Sequence, residues 1–310
     1  MKSIEVKSLS KTFGEFKAVD DISFDVKQGE IFGFLGANGA GKSTTIRMLC
    51  GIIGPTKGDA LVGGYSIMNE SEKVKENIGY MSQRFSLYND LTVEENINFF
   101  GGIYGLADKE LNERKKWVLK TANLIGKEKL LTESLPGGIK QRLALGTAVI
   151  HRPKIVFLDE PTSGVDPISR RGFWELINDL ADEGITVFVT THYLEEAEFC
   201  NNIILINAGK LIAEGSSKEL KENYLNSSIY EIECSNPVLA MEVLETKNFV
   251  NETSIFGNNI HINVADSFKN KELISELLNG KEISVNKIQK IVPTLEDVFI
   301  HLLEEGKHVS

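Results

Sequence analysis

Cysteine is scarce in this chain of 310 residues. Cys50, Cys200 and Cys234 are too few and too scattered for a disulfide framework or a zinc site, which points to a reducing cytosol. Long apolar runs are missing too. No window approaches the roughly 18 uninterrupted apolar residues of a membrane span, and the opening MKSIEVKSLS lacks the apolar core of a signal peptide. Any membrane-crossing part of a process this protein serves is therefore expected from another polypeptide. Positive charge is outnumbered, with 34 Lys and Arg against 44 Asp and Glu and a net charge of −10. That balance argues against broad nonspecific nucleic-acid binding, which needs clustered excess Lys and Arg, while leaving room for a local basic groove. Tandem repeats and low-complexity tracts are also absent.

What is present suits a globular chain: 42% hydrophobic and 25% charged residues, over a length that accommodates one large domain and a small one. Residues 1–225 alternate short Val/Ile/Phe-rich runs with longer amphipathic ones, which predicts an α/β domain. The runs at 31–35, 155–158 and 186–189 are compact and apolar, as central strands covered on both faces would be. Helices are expected over 43–50, 92–104, 111–124 and 138–150, and a hairpin turn at Asn207-Ala-Gly-Lys210. From residue 226 to 310 the composition shifts toward Asn and Ser. There the expected order is β-α-β-β-α-β plus a terminal helix, which suits a small α+β module of ferredoxin-like topology.

Three segments carry chemistry. The first, Gly36-Ala-Asn-Gly-Ala-Gly-Lys-Ser-Thr44, fits the phosphate-binding pattern G-x-x-x-x-G-K-[ST] between a predicted strand and a predicted helix. Gly36, Gly39 and Gly41 allow a tight turn whose amides face phosphate oxygens, with Asn38 and Ala40 contributing backbone between them. The helix that follows adds its positive N-terminal end. Lys42 supplies a fixed charge for the β- and γ-phosphates, the Ser43 hydroxyl suits Mg²⁺, and Thr44 is a further phosphate donor. ATP and Mg²⁺ are the implied ligands.

The second segment, Lys154-Ile-Val-Phe-Leu-Asp-Glu-Pro161, is an apolar strand that ends in paired carboxylates. Asp159 suits Mg²⁺, through water, and Glu160 suits orientation and polarisation of the attacking water. The third, Leu135-Pro-Gly-Gly-Ile139, opens an amphipathic run. A nucleotide site complete within one chain has no use for a second glycine pair opening a helix. Its presence points to an ATP site finished by another copy.

With these residues in this order, the chain resembles the ATP-binding subunits of ABC transporters over its first two thirds. The P-loop, SLPGGIKQRLAL, IVFLDEP and TSGVDP all fall in that family's order and spacing. The resemblance implies a P-loop ATPase fold, catalytic roles for Glu160 and the switch histidine His192, and a Gln83 that binds Mg²⁺ and senses a membrane partner. It implies that Asp166 communicates between paired sites and that Phe13 stacks on adenine. His151, His261, His301 and His308 match no motif and are expected to serve packing.

The family signature is usually LSGGQ, and here Pro136 replaces the serine. Proline suits the first helical position, so Pro136, Gly137 and Gly138 can still present a helix start to a partner-bound phosphate. The lost hydrogen bond to a charged group costs roughly 1.5–3 kcal/mol.

This signature, with FLDEPTSGVDP and the C-terminal Pro293-Thr-Leu-Glu-Asp-Val-Phe299, resembles the drug- and ion-extruding branch. The resemblance implies an ATPase that powers an exporter of drugs, ions or lipid-like compounds. Its partners would be an integral membrane permease and a second ATP-binding subunit, at the cytoplasmic face of the membrane and without nucleic acid. Two other readings stay open at this point. One is a soluble relative acting on ribosomes or DNA, against which the single P-loop and the lack of a sustained heptad insertion count. The other is a non-hydrolytic nucleotide sensor, against which the intact Asp159, Glu160 and His192 count.

Overall fold

The structure, a computed structural model, describes residues 1–83, 87–224, 227–265, 268 and 270–308. Two compact units divide between Ser216 and Ser217. The compositional junction at 225/226 falls on residues outside the described set. The helix Ser217–Asn223 groups with the second unit.

The first unit opens with a hairpin of β1 (Lys2–Phe13) and β2 (Phe16–Lys27), then β3 (Ile31–Leu35) and α1 (Lys42–Leu49). Next come β4 (Lys57–Val62), β5 (Tyr65–Ser66), α2 (Ser71–Asn77) and β6 (Ile78–Met81). Helices α3 (Val93–Ile103), α4 (Asp108–Thr121) and α5 (Gly137–Ala148) precede β7 (Ile155–Asp159), α6 (Pro167–Asp182) and β8 (Thr186–Thr191). The hairpin of β9 (Asn202–Asn207) and β10 (Lys210–Gly215) closes the unit. Its turn residues Ala208 and Gly209 both have positive φ, 46° and 79°, the backbone a two-residue hairpin turn of this hand requires.

Two sheets pack together. One is antiparallel in the order β2-β1-β4-β5; the other runs β10-β9-β3-β8-β7-β6 and is parallel apart from its β9/β10 edge. Phe24 of the first sheet stacks on Phe32 of the second at 5.6 Å, and Phe32 meets Phe188 at 5.4 Å. Burying such a ring contributes about 1.5–3 kcal/mol, so this aromatic layer fixes how the sheets face each other. Register then aligns the strand ends that matter. Leu35 pairs with Thr191 and Asp159 with Thr190, so β3, β7 and β8 end level with one another. Ligands bind beyond such carboxyl ends in open α/β sheets.

Helices α3, α4 and α5 share a separate apolar cluster that includes Val93, Ile97, Val118 and Leu143. Thr92 and Glu95 form a reciprocal capping box at the start of α3. Buried Arg114 donates to the carbonyls of Val149 and Ile150 at 2.9 and 2.8 Å, which satisfies acceptors just past the end of α5.

The second unit comprises α7 (Ser217–Asn223), β11 (Ser227–Cys234), α8 (Pro237–Glu245), β12 (Val250–Phe256), β13 (Asn259–Ala265), α9 (Lys271–Asn279), β14 (Val285–Ile291) and α10 (Leu295–His308). Its sheet is antiparallel in the order β12-β13-β11-β14, which with the intervening helices is the ferredoxin-like arrangement the sequence order suggested. Ile232, Ile260, Ile262, Ile274 and Leu278 form its core. Leu295, Val298 and Phe299 of α10 are all buried.

Candidate nucleotide site

The phosphate-binding loop joins the end of β3 to the start of α1. Gly36 is obligatory for lack of room: a Cβ there would collide with the Ile206 carbonyl oxygen. Gly41 has φ 109°, and its Cβ would come within 2.5 Å of the Ala18 carbonyl oxygen. No L side chain fits such a backbone. Ala40 is tucked behind the loop, its amide bonded to the Ala37 carbonyl at 3.1 Å.

A cleft of about 600 Å³ opens at this loop, lined by Asn38, Gly39, Gly41, Lys42, Ser43 and Thr44 of the loop and helix start together with Gln83, Glu160, Ser163 and His192. Lys42 reaches back to the carbonyls of Gly36 and Ala37 at 2.8 and 3.1 Å. Its ammonium also lies 3.2 Å from the Glu160 carboxylate, and both side chains are buried. The other Glu160 oxygen accepts from Gln83 Nε2 at 2.9 Å and stands 3.2 Å from His192 Nδ1. Glu160 therefore gathers Lys42, Gln83 and His192 around one carboxylate. It does so from a left-handed backbone, φ 48°, uncommon for a residue with a side chain and a mark of local strain.

Asp159 sits one residue earlier and one level lower. Its Oδ1 accepts from Ser43 Oγ at 3.0 Å and Thr190 Oγ1 at 2.8 Å. Burial raises its pKa above the ordinary value; the hydrogen bonds from Thr190 and Ser43 oppose that rise, and the neighbouring Glu160 charge adds to it. A hydroxyl, a carboxylate and the amide oxygen of Gln83 are hard oxygen donors of the kind Mg²⁺ takes. Desolvation of Asp159 leaves a charge that a bound cation would offset.

The remaining sequence-predicted residues are placed as follows. Phe13 does not line the cleft; Phe16, its partner across the β1–β2 hairpin, does, and both rings are largely exposed. Nothing in the spacing separates two aromatics three apart at a hairpin tip, so the choice between them needed the fold. Pro136, Gly137, Gly138 and Asp166 are not on this cleft wall either. Pro136 is the N-cap of α5 rather than its first helical residue, with extended ψ 149°, so Gly137 opens the helix. Gly138 is a packing residue as well: a Cβ would lie 2.5 Å from the Ser169 side chain on α6. Asp166 caps α6, its carboxylate accepting from the Ser169 amide at 2.9 Å. Ser163, Ala18 and Phe16 line the cleft without having been singled out, because short polar and apolar residues at loop positions carry no pattern of their own.

Three of the other histidines have partners of their own. His151 stacks on Tyr104 at 3.6 Å, and burial pushes its pKa down to about 4. His261 bonds Asp297 at 2.9 Å and His301 bonds Glu252 at 2.6 Å. The His308 side chain lies outside the described residues.

A strand–glycine loop–helix with its lysine against a strand-end carboxylate pair, a glutamine and a histidine defines a P-loop nucleotide-hydrolase site. The ABC transporter domain pattern matches residues 19–163, and a DrrA1-3-like ATP-binding protein C-terminal domain pattern matches 215–303. The chain is 51% identical over 223 residues to the probable multidrug ABC transporter ATP-binding protein YbhF of Escherichia coli, a match covering 72% of this chain and 39% of that one. It therefore spans about two fifths of that relative's length. It is 36% identical over 303 residues to the linearmycin resistance ATP-binding protein LnrL of Bacillus subtilis, covering 96% and 97%. A dimeric ATP-binding cassette solved in a post-hydrolysis state with ADP and Pi superposes with a TM-score of 0.63 at 27% identity, over 69% of this chain and 98% of that one. The chain belongs to the family of ABC transporter ATP-binding proteins.

Proposed function

We propose that this chain binds ATP with Mg²⁺ in the 600 Å³ cleft and hydrolyses it to power an exporter through a separate membrane permease. The observation that carries the reading is the Glu160 carboxylate, held above the phosphate loop by Lys42, Gln83 and His192. In this reading the triphosphate takes the place of Glu160 against Lys42 and the loop amides. Glu160 then turns to the attacking water and His192 to the γ-phosphate. Ser43, Asp159 and Gln83 would hold Mg²⁺, which supplies charge neutralisation between the phosphates when bound. The hairpin tip carrying Phe13 and Phe16 gives adenine an aromatic face.

The Pro136–Gly138 turn and Asp166 stand off the chain's own cleft. That placement supports a second subunit, each turn capping the other's triphosphate, as does the dimeric state of the solved cassette bound to ADP and Pi. A permease would dock on the exposed aromatic pair Tyr88 and Phe99, whose rings meet edge-on at 4.8 Å. Among the described residues no helix is long and apolar enough to cross a membrane; the place of the chain in this reading is the cytoplasmic face, beside its permease. The relatives named for multidrug transport and linearmycin resistance favour a drug-class or lipid-like cargo.

The test is Mg²⁺-dependent ATP turnover by the purified chain and by its Glu160→Gln variant. Turnover is expected to fall about 10²-fold or more in the variant, while ATP binding is retained. Equal steady-state rates in the two proteins would defeat the assignment.

A further inference from the structure

Helix α6 begins after Asp166, and its fourth residue is a partly buried arginine that the hydrolytic roles above leave unused. Arg170 touches three separate segments. Its guanidinium carbon lies 4.1 Å from the centre of the Tyr193 ring, and Tyr193 directly follows His192. Its Nη2 stands 3.5 Å from the Val165 carbonyl, in the segment that leads from Glu160 to Asp166. Its Nε stands 3.6 Å from Oε1 of Glu196, a carboxylate only 2% exposed, which also accepts from Thr162 Oγ1 at 2.6 Å.

Each contact has a physical consequence. The guanidinium on the Tyr193 face is a cation–π contact; Lys would keep the charge but lose the planar stack and the donor fork that also reaches Val165 and Glu196. Tyr193 is also held by its neighbours: its ring centre lies 4.1 Å from that of His192, and its amide donates to Thr191 Oγ1 at 3.0 Å. Glu196 cannot move freely, because its amide donates to the Tyr193 carbonyl at 3.1 Å and its carboxylate is tied to Thr162. One side chain thus bridges the segment after β7 to the segment after β8. The pair is also not fully closed. Arg170 Nε is buried without a hydrogen-bond partner, so a small approach of α6 would turn its 3.6 Å ion pair with Glu196 Oε1 into a charge-assisted hydrogen bond.

We propose that Arg170 is a positioning residue for ATP hydrolysis, clamping residues 162–166 to Tyr193 and Glu196 so that His192 is held against Glu160. Displacement of the segment around Asp166, the part assigned above to the partner subunit, would then reach His192 through the Arg170–Tyr193 stack. This rests on the ATPase reading. It adds a residue that touches neither nucleotide nor metal and acts through the histidine that does.

Steady-state turnover of the full chain with Mg²⁺ and ATP tests it, using Arg170→Lys, Tyr193→Leu and Tyr193→Phe beside the wild type and Glu160→Gln. Arg170→Lys and Tyr193→Leu are expected to lower kcat about tenfold or more, with KM for ATP within about twofold. Tyr193→Phe keeps the ring and is expected to keep kcat. Thermal melting of each variant separates lost positioning from lost folded protein. Arg170→Lys and Tyr193→Leu with wild-type kcat would overturn the inference alone, since Glu160→Gln would still report an active enzyme. A fall in kcat that tracks loss of folded protein would also overturn it, as would a Tyr193→Phe variant as slow as Tyr193→Leu. A wild-type protein without turnover would remove the ATPase reading and this inference together.

Discussion

Lys42 and Glu160 form a buried ion pair, 3.2 Å from ammonium to carboxylate, with side chains 3% and 7% exposed. The cation that should attract phosphate thus rests against the carboxylate that should activate water. Each keeps the other compensated until nucleotide arrives. Removing one member leaves a buried charge unpaired, which costs about 3–5 kcal/mol. Lys42→Ala is therefore expected to lower the stability of the nucleotide-free protein by about that amount in urea denaturation. Lys42→Ala with Glu160→Gln should recover most of the loss. A double variant no more stable than the single one would show that the pair is not what Lys42 compensates.

Asp159 makes the opposite trade. Burial raises its pKa in the folded state above the ordinary 3.8, so the ionised side chain penalises folding at neutral pH. The folded state holds the proton more tightly, so the penalty is complete above the folded-state pKa and is relieved as pH falls through it. Asp159→Asn keeps an oxygen for the Ser43 and Thr190 hydroxyls and removes the charge. Its Tm at pH 7 is expected to exceed that of the wild type, while Mg²⁺-dependent turnover drops about 10²-fold or more. A lower Tm would contradict the sign.

Adjacent glycines of the signature turn are expected to behave differently. A Cβ at Gly137 meets nothing within 4 Å, whereas one at Gly138 meets the Ser169 side chain at 2.5 Å. Gly138→Ala should cost about 1–3 kcal/mol by overpacking, and adding Ser169→Gly should restore it. Gly137→Ala should leave the melting curve in place and reduce ATP turnover, because that surface faces the second subunit in the proposed assembly. Turnover unchanged in Gly137→Ala would argue against the turn capping a partner's nucleotide.

In the second unit, Asp297 anchors the start of α10. It bonds His261 at 2.9 Å and closes a cap with Thr294, whose amide donates to it at 2.7 Å. Burial works to raise its pKa, but the hydrogen bonds from His261 and Thr294 outweigh burial and hold the carboxyl below 3.8. A depressed folded-state value contributes stability that is complete above pH 3.8 and lost as pH falls through the lower folded-state value. Asp297→Asn should therefore be less stable than wild type by about 1.5–3 kcal/mol at pH 7. The gap should narrow as pH drops below 3.8, and a gap independent of pH would exclude the carboxylate as its source.

Much of this was legible along the chain. The buried strands announced themselves as unbroken apolar runs at 31–35 and 155–158, and the order from β11 to α10 could be read from the runs, though α7 before it was not. The 12-residue strands β1 and β2 were not legible, since bulges interrupt their register at several points and blur the alternation. Helix α6 was also missed. Its opening Pro167 reads locally as a loop, and only the Asp166 cap and the buried Phe173, Trp174 and Ile177 reveal a helix.

The division follows from the range of the interactions involved. Residue type and close spacing were enough to name Lys42, Ser43, Asp159 and Glu160, because a phosphate loop and a strand-end carboxylate pair are short-range chemistry. That Gln83 and His192 converge on one oxygen of Glu160 depends on the neighbouring ends of β6, β7 and β8, which hydrogen-bond register across the sheet establishes. The same applies to Gly138 against Ser169 and Arg170 over Tyr193. Their partners lie on different elements, and only packing brings them into contact.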